Sequence, residues 1–595
     1  MVRFNPKRQR FVALALVGVH SCLLAWGAYR QSPTYNEVAH LVAGISYWQF
    51  GQFDVYRVDP PLTRLVAALP VLAAKPTTDW KSFREHPGAR PEFHLGKDFV
   101  AANGERSLWL YAIARWACIP FSWLGAWICY RWAQELYGLR GAFLALALWC
   151  FEPNILAHAQ LVTPDLGATA LGLTASYCFW RWLKTPTWAW TLIVGGVLGL
   201  AELTKFTWLI LFALWPVLWT VWRLSDLQAR TERRHWFREA AQLGVAFLLA
   251  IYVINLGYAF EGSFQPLNKF QFVSNAFTGT EMADDHRTKQ HVSNRFVGSR
   301  LGALLVPFPS DYVIGVDLQK KDLENFSQKS YLRGEFRDHG WWYFYLYCLS
   351  IKTPIGLWVL LSLGRFTAAF VRPERRPHTV RDTLALLAPG AAVLFLVSSQ
   401  TAFTIHFRYV LPLLPFLFIW ASRSAALPPI HRRFYSLAME ATITWLIASS
   451  LWIYPHSLSY FNEVVGGPNN GANHVLDSNI DWGQDLLFLR DWVKDHTEAR
   501  PINLAYSGYF NPIDVGIEYQ FPNALLLGNG IPGKTISLEP AWYAISVNLL
   551  RGMKSPMPTA DGNWNALSTS AAADFRTLRP IGRAGYSIYL FHVPQ

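Results

Sequence analysis

A chain of 595 residues would ordinarily divide into several soluble domains, but 52% of these residues are hydrophobic and only 16% charged, with 28 Trp, 25 Tyr and 39 Phe. A water-facing surface of this size needs about a quarter of its residues charged, which excludes an ordinary soluble enzyme, a disordered chain and a disulfide scaffold. The net charge of +13 invites a nucleic-acid partner, but Lys and Arg gather in alternate short loops, a pattern that sets membrane topology; no nucleic acid is expected.

Arg3, Lys7, Arg8 and Arg10 precede an apolar run at 11–29. Its length and its lack of a small-residue cleavage site mark an uncleaved first span rather than a signal peptide. Further apolar runs at 107–130, 141–158, 165–183, 188–202, 206–222, 239–256, 341–364, 383–399, 409–422 and 434–453 bring the expected total to about eleven helices. Between them lie Arg131 and Arg140, Arg181 and Lys184, the cluster from Arg223 to Arg238, that from Arg372 to Arg381, and Arg423, Arg432 and Arg433. Such loops stay cytoplasmic, and an odd number of spans leaves the N-terminus inside and the tail outside. The long loops 30–106 and 257–340 are near neutral, with 9 basic against 8 acidic residues and 10 against 10, as external loops can be. The six cysteines (Cys22, Cys118, Cys129, Cys150, Cys178 and Cys348) all fall in apolar runs without metal or redox spacing, and read as small buried hydrophobes.

Past Tyr454 the character changes: residues 454–595 carry 9 basic and 12 acidic side chains. Residues 481–496 space Leu486, Leu487, Leu489, Trp492 and Val493 as on a helix, while 502–506, 542–547 and 586–591 read as strands. The expected fold class is therefore an all-α polytopic membrane protein with a small C-terminal extracytoplasmic α/β domain. Residues 1–453 make the membrane domain and 454–595 the external one. No internal inverted repeat of the kind that builds transporters is visible.

Polar groups gather at the external helix ends. After the first span come Asn36, Glu37 and His40, then Asp59-Pro60-Pro61-Leu62. Thr163-Pro164-Asp165 precedes the fourth span, Glu202-Leu203-Thr204-Lys205 joins the fifth to the sixth, Lys352-Thr353-Pro354 lies within the eighth, and His406-Phe407-Arg408-Tyr409 opens the tenth. Ionisable groups at this depth are functional candidates, since desolvating them costs a few kcal/mol or more. Each also has a plainer reading. Glu37 and His40 can pair on a short surface helix, Glu202 and Lys205 can form a structural ion pair, Asp165 can begin a helix, and Arg408 can snorkel to the headgroups. Lys352 sits about 16 Å along a helix from Trp341, a depth that favours a water-lined cavity or a phosphate contact. Asp477-x-Asn479-x-Asp481 has the alternating oxygens of a calcium loop, without the glycine position or the distal Glu of an EF-hand; Asp481 equally suits a helix cap.

Taken in order and on one side, the acidic first loop, Pro60-Pro61-Leu62, Thr163-Pro164-Asp165, Leu203-Thr204-Lys205 and Arg408-Tyr409-Val410-Leu411-Pro412 resemble the GT-C glycosyltransferases. The similarity is closest to bacterial relatives of the protein O-mannosyltransferases and of the lipid A aminoarabinose transferase. Tyr460-Phe461-Asn462-Glu463, Gly466-Gly467-Pro468 and the run from Asp477 to Leu486 resemble a C-terminal domain of the phospholipid-carrier-dependent members. The resemblance implies transfer of a hexose or pentose, with inversion, from a polyprenyl-phosphate-linked donor to a protein, lipid or glycan acceptor outside the cytoplasm, in the bilayer of the plasma (inner) membrane. No cofactor is firmly implied, and a divalent cation is left open.

An inverting transfer needs a carboxylate to take the acceptor proton and cations to hold the departing phosphate. The family pattern has Asp-Glu in the first loop with the Asp as base, but this chain has Asn36-Glu37. An amide cannot act as a general base, so Glu37 is the expected base, assisted by Asp165, beside Asn36. His40, Lys205, Lys352, His406, Arg408 and Tyr409 are the expected substrate-binding residues. A lipid-carrier or polysaccharide transporter is one rival; nearly all non-loop charges on the external half speak against it. The other is a catalytically inactive carrier-binding scaffold, which Asn36 keeps open.

Overall fold

The computed structural model describes residues 6–84, 86, 88–225, 233–279, 293–324, 329–370, 379–400, 404–426, 432–522, 538–554, 556–558, 564–566, 572 and 574–594. The stretches read from the sequence as spans are mostly helical where described, with breaks at Glu152 and at Thr353-Pro354. Among the described residues, six helices are long and apolar enough to cross a membrane alone: Pro6–Arg30, Arg106–Phe151, Phe206–Leu224, Trp236–Gly257, Val380–Ser399 and Arg433–Ile453. Phe11, Leu14, Phe237, Leu248, Phe395 and Trp452 are each at least 68% exposed. Large apolar side chains turned outward in this number suit lipid rather than water.

The second and third expected spans form one run, Arg106–Phe151, that turns at Gly138 with φ 76° and ψ −173°. A Cβ rarely tolerates that backbone conformation, and Gly has none. The two arms then pack so closely that the Trp149 ring leaves no space for a Cβ on Gly125, and Trp149 Nε1 donates to Ser122 Oγ at 3.0 Å. The eighth expected span is bent by 101° between Phe344–Lys352 and Ile355–Phe366. The cause is local: Thr353 precedes Pro354, which drives it into an extended conformation (φ −105°, ψ 146°) and ends the helix at Lys352.

Outside the bundle, the first long loop folds into three helices, Glu37–Phe50, Leu62–Ala73 and Glu92–Asn103, and the second supplies Ser310–Glu324. Arg57 ties the two loops together by pairing with Asp311 at 2.5 Å. The tail carries a helix, Leu486–Asp495, and a five-stranded sheet in the spatial order Gly582–Ala584, Ile588–Val593, Ala541–Ser546, Ile502–Ala505 and Tyr519–Gln520. Ile588–Val593 runs antiparallel to both neighbours, whereas Ile502–Ala505 runs parallel to both of its own.

The tail does not stand apart. Leu486, Leu489, Ile502, Leu504 and Ile588 share one buried apolar core with Val38, Leu41, Phe99 and Tyr111 of the first loop and its following helix. Ser32 Oγ donates to the Gly483 carbonyl at 2.7 Å and accepts from the Leu486 N–H at 3.1 Å, while Gln31 Nε2 donates to the Pro455 carbonyl at 2.6 Å. At roughly 25 cal/mol per Å² of shared apolar surface, these contacts clamp the tail over one end of the bundle.

Candidate active site

A polar cavity of about 350 Å³ opens where the tail meets the bundle. Its membrane-side wall holds Asn36, His40, Tyr56, Asp59, Asp165, Lys205, His406, Arg408 and Tyr409, and the tail adds Asp477, Asp481, Trp482, Ser507, Asn548 and Lys554. Seven of the nine side chains singled out in the sequence thus face one space. Glu37 and Lys352 do not line it.

The local geometry follows from the chain. Pro164 begins the helix Pro164–Lys184, placing Asp165 in its first turn, where the exposed backbone N–H groups favour a negative charge. After the helix Trp188–Glu202, a tight turn releases Lys205 into an extended conformation (φ −161°, ψ 137°). Lys205 Nζ thereby reaches Asp165 Oδ1 at 2.6 Å and lies 4.7 Å from the centre of the Tyr409 ring. The plainer pairing of Lys205 with Glu202 is not formed: Glu202 instead accepts the Tyr312 hydroxyl at 3.1 Å.

Arg408 approaches Asp165 Oδ2 at 3.8 Å and stacks 4.1 Å over Trp482. Its Nη1 is buried without a hydrogen-bond partner. Asp165 therefore faces both cations, and Arg408 keeps a free donor in a desolvated place, an arrangement that can receive an anion. His406 bonds Ser478 Oγ at 2.8 Å and Asp477 Oδ1 at 3.2 Å. His40 stacks on Tyr56 with ring centres 4.8 Å apart; burial, with the Arg64 charge next, holds its pKa well below the usual imidazole range. Asn36 Oδ1 accepts from Trp482 Nε1 at 3.3 Å, joining loop to tail.

Two expectations are corrected. Glu37 is fully buried, with Arg115 donating to Oε1 at 2.8 Å and to Oε2 at 2.6 Å. It also accepts from the backbone N–H groups of Thr34 and Val162, both at 2.8 Å. A carboxylate so committed is a brace between the first loop and the bundle, neither a base in the cavity nor the surface partner of His40. Lys352, placed at the helix break rather than deep in a straight helix, donates to the carbonyls of Leu458 at 2.8 Å and Asn479 at 2.6 Å. Its charge fastens the tail.

The calcium-like run serves the same fastening. Asn479 donates to the carbonyls of Ile405 and Leu476, and its Oδ1 accepts from the Phe407 N–H at 2.8 Å. Among the described residues no three His, Cys, Asp or Glu side chains converge as metal ligands. Arg115 was missed in the sequence although a lone Arg inside an apolar run is itself a signal. In the sequence Asp481 reads as a calcium-loop oxygen or a helix cap and Trp482 only as part of a tail motif, and nothing local marks Asn548 or Lys554.

Fold and site together define a polytopic helical membrane protein with a charge-lined cavity where the bundle meets the α/β structure of the tail. Residues 111–258 match the model of the family described as dolichyl-phosphate-mannose-protein mannosyltransferase. The match takes in Thr163-Pro164-Asp165 and Leu203-Thr204-Lys205, two of the motifs that carry the glycosyltransferase resemblance. Among solved structures, ArnT from Cupriavidus metallidurans aligns over 97% of both chains at 12% identity, with TM-scores of 0.43 bound to undecaprenyl phosphate and 0.41 in the apo state. No curated protein matches the chain in sequence.

Proposed function

We propose that this protein is an integral membrane glycosyltransferase that moves a sugar from a polyprenyl-phosphate-linked donor to an acceptor on the extracytoplasmic side, with inversion. The N-terminus lies in the cytoplasm and residues 454–595 form the external domain. One observation carries the reading. The polar cavity adjoins an apolar groove of about 440 Å³ lined by Phe206, Leu209, Ile210, Val316, Leu323, Tyr345 and Leu396, and the two share Lys205 and Tyr409. A ligand with a phosphate at one end and an isoprenoid chain at the other fits this pairing: the phosphate meets Lys205 and Arg408, and the chain lies in the groove. The match of residues 111–258 to a family that takes sugar from a lipid phosphate supports it.

Asp165 holds the two cations apart and in place, so that phosphate binding needs little reorganisation. Tyr409 and Trp482 cover their outer faces. As the sugar departs, the second negative charge growing on the phosphate meets Lys205 and the unpartnered Arg408 Nη1. Charge-assisted contacts of this kind are worth about 1.5–3 kcal/mol each, so Lys205→Ala and Arg408→Ala are each expected to weaken undecaprenyl phosphate binding by on the order of tenfold or more. Binding is measured in nanodiscs, and transfer by release of labelled sugar from undecaprenyl-phosphate hexoses and pentoses. Unchanged affinity in both variants refutes the phosphate site. Binding without sugar release favours the inactive scaffold, the reading that Asn36 and the engaged Glu37 support.

A further inference from the structure

Five carboxyl groups line the cavity, and three of them are paired with cations or His406. Asp165 faces Lys205 and Arg408. Asp322 pairs with Arg90 at 3.1 Å. Asp477 meets His406 at 3.2 Å, and the Ser478 N–H donates to it at 2.5 Å. Asp481 is 2% exposed; its Oδ1 accepts from the Gly483 N–H at 3.2 Å, its Oδ2 is buried without a partner, and burial pushes its pKa up to about 8, which favours the protonated acid over a base. The fifth is Asp59. Among the described residues its carboxylate makes neither a hydrogen bond nor an ion pair, although the residue itself is firmly held.

Arg64 holds it. The guanidinium donates to the backbone carbonyls of Tyr56, Asp59 and Pro60 and stacks over Tyr47 and Tyr56. Pro60 and Pro61 fix the following backbone, and the Leu62 N–H donates to the Leu203 carbonyl at 2.9 Å, two residues from Lys205. Thr63 lies so close to Gly167 that a Cβ there would stand 2.8 Å from Thr63 Oγ1. The loop carrying Asp59 is thus seated against both the Lys205 turn and the start of the Asp165 helix.

Resting on the transfer function proposed above, we propose that Asp59 is the general base, the role that Asn36 lacks the chemistry for and that Glu37 is not free to take. In the step, the acceptor oxygen bonds the anomeric carbon as the bond from that carbon to the carrier phosphate oxygen breaks. The electron pair leaves with the phosphate, held by Lys205 and Arg408, and the acceptor proton passes to an Asp59 oxygen. One proton, one bond made and one bond broken balance the step.

Burial raises the Asp59 pKa above the usual carboxylate range; Lys205, Arg64 and Arg408 pull it down, and Asp165 pushes it up. Tyr56 and Tyr409 also face it. A base must be unprotonated to act, so turnover should fall with decreasing pH through this raised value.

The test uses the full chain in nanodiscs with a panel of labelled undecaprenyl-phosphate hexoses and pentoses and water as acceptor, since hydrolysis needs the same proton transfer. Asp59→Asn is expected to lower kcat on the order of a hundredfold or more and to abolish the acid limb of the pH profile. Asp59→Glu should retain the limb, and undecaprenyl phosphate affinity should stay within about threefold in both. Parental turnover in Asp59→Asn overturns the proposal, as does a reduced kcat whose acid limb is unchanged. A parent protein that binds undecaprenyl phosphate yet releases no sugar overturns the transferase function itself, and the base with it.

Discussion

Glu37→Gln removes one charge from a pair that is 0% and 1% exposed. Arg115 uses five N–H groups there, two on Glu37 and three on the carbonyls of Ala28, Gln31 and Ser32. After the substitution the three carbonyls remain, but the positive charge is buried without its counter-ion, and the new amide nitrogen faces a donor. Breaking a buried pair from one side costs about 3–5 kcal/mol. Because Gln keeps the volume and one acceptor, the lower end is expected, a fall in melting temperature on the order of 2–3 °C. Melting is followed by tryptophan fluorescence in nanodiscs, and undecaprenyl phosphate binding and turnover are measured well below the transition. Carrier affinity should be retained and turnover should fall by less than about tenfold. Unchanged melting together with a hundredfold or greater loss of turnover refutes the brace and makes Glu37 a reacting carboxylate.

Lys352→Met removes two charge-assisted donations to the tail, at 2.8 and 2.6 Å, and is expected to speed limited proteolysis after residue 454 while leaving carrier affinity intact; lost affinity with unchanged proteolysis would return Lys352 to the phosphate site. Asp481→Asn should stabilise the protein at high pH. The folded carboxyl, raised from 3.8 to about 8, binds its proton more tightly than the unfolded one, so stability is lost as pH rises through that window, and the variant's advantage in melting temperature should be present at pH 8 and absent at pH 4. An advantage that does not change with pH sinks the linkage. A reporter fused after Gln595 that works only outside the cytoplasm should be active; activity of a cytoplasmic reporter there reverses the sidedness.

The longest spans were legible because they are local. A bilayer selects contiguous apolar runs of about 20 residues, and among the described residues six helices of that kind stand where apolar runs are read. Clustered Lys and Arg, and the motifs containing Asp165, Lys205 and Arg408, were equally open to reading, as was their shared side. Even the bend at Lys352 is written in Thr353-Pro354, although its effect on the lysine was not drawn from it.

Which charge meets which was decided by tertiary structure. Glu37 finds Arg115, 78 residues away, instead of His40 three residues on. Lys205 finds Asp165, 40 residues away, instead of Glu202. Lys352 finds backbone carbonyls more than 100 residues along the chain. Asp481, Trp482 and Asn548 reach the cavity because the tail shares a core with the first loop, and Asp59 is left free because Arg64 takes its carbonyl and, among the described residues, no cation pairs with its carboxylate. In a desolvated interior an ion pair depends steeply on separation and orientation, and separation in space is set by helix packing, Gly138 and the Thr353-Pro354 break. Residue order along the chain determines the inventory of charges; packing determines which of them remains available to react.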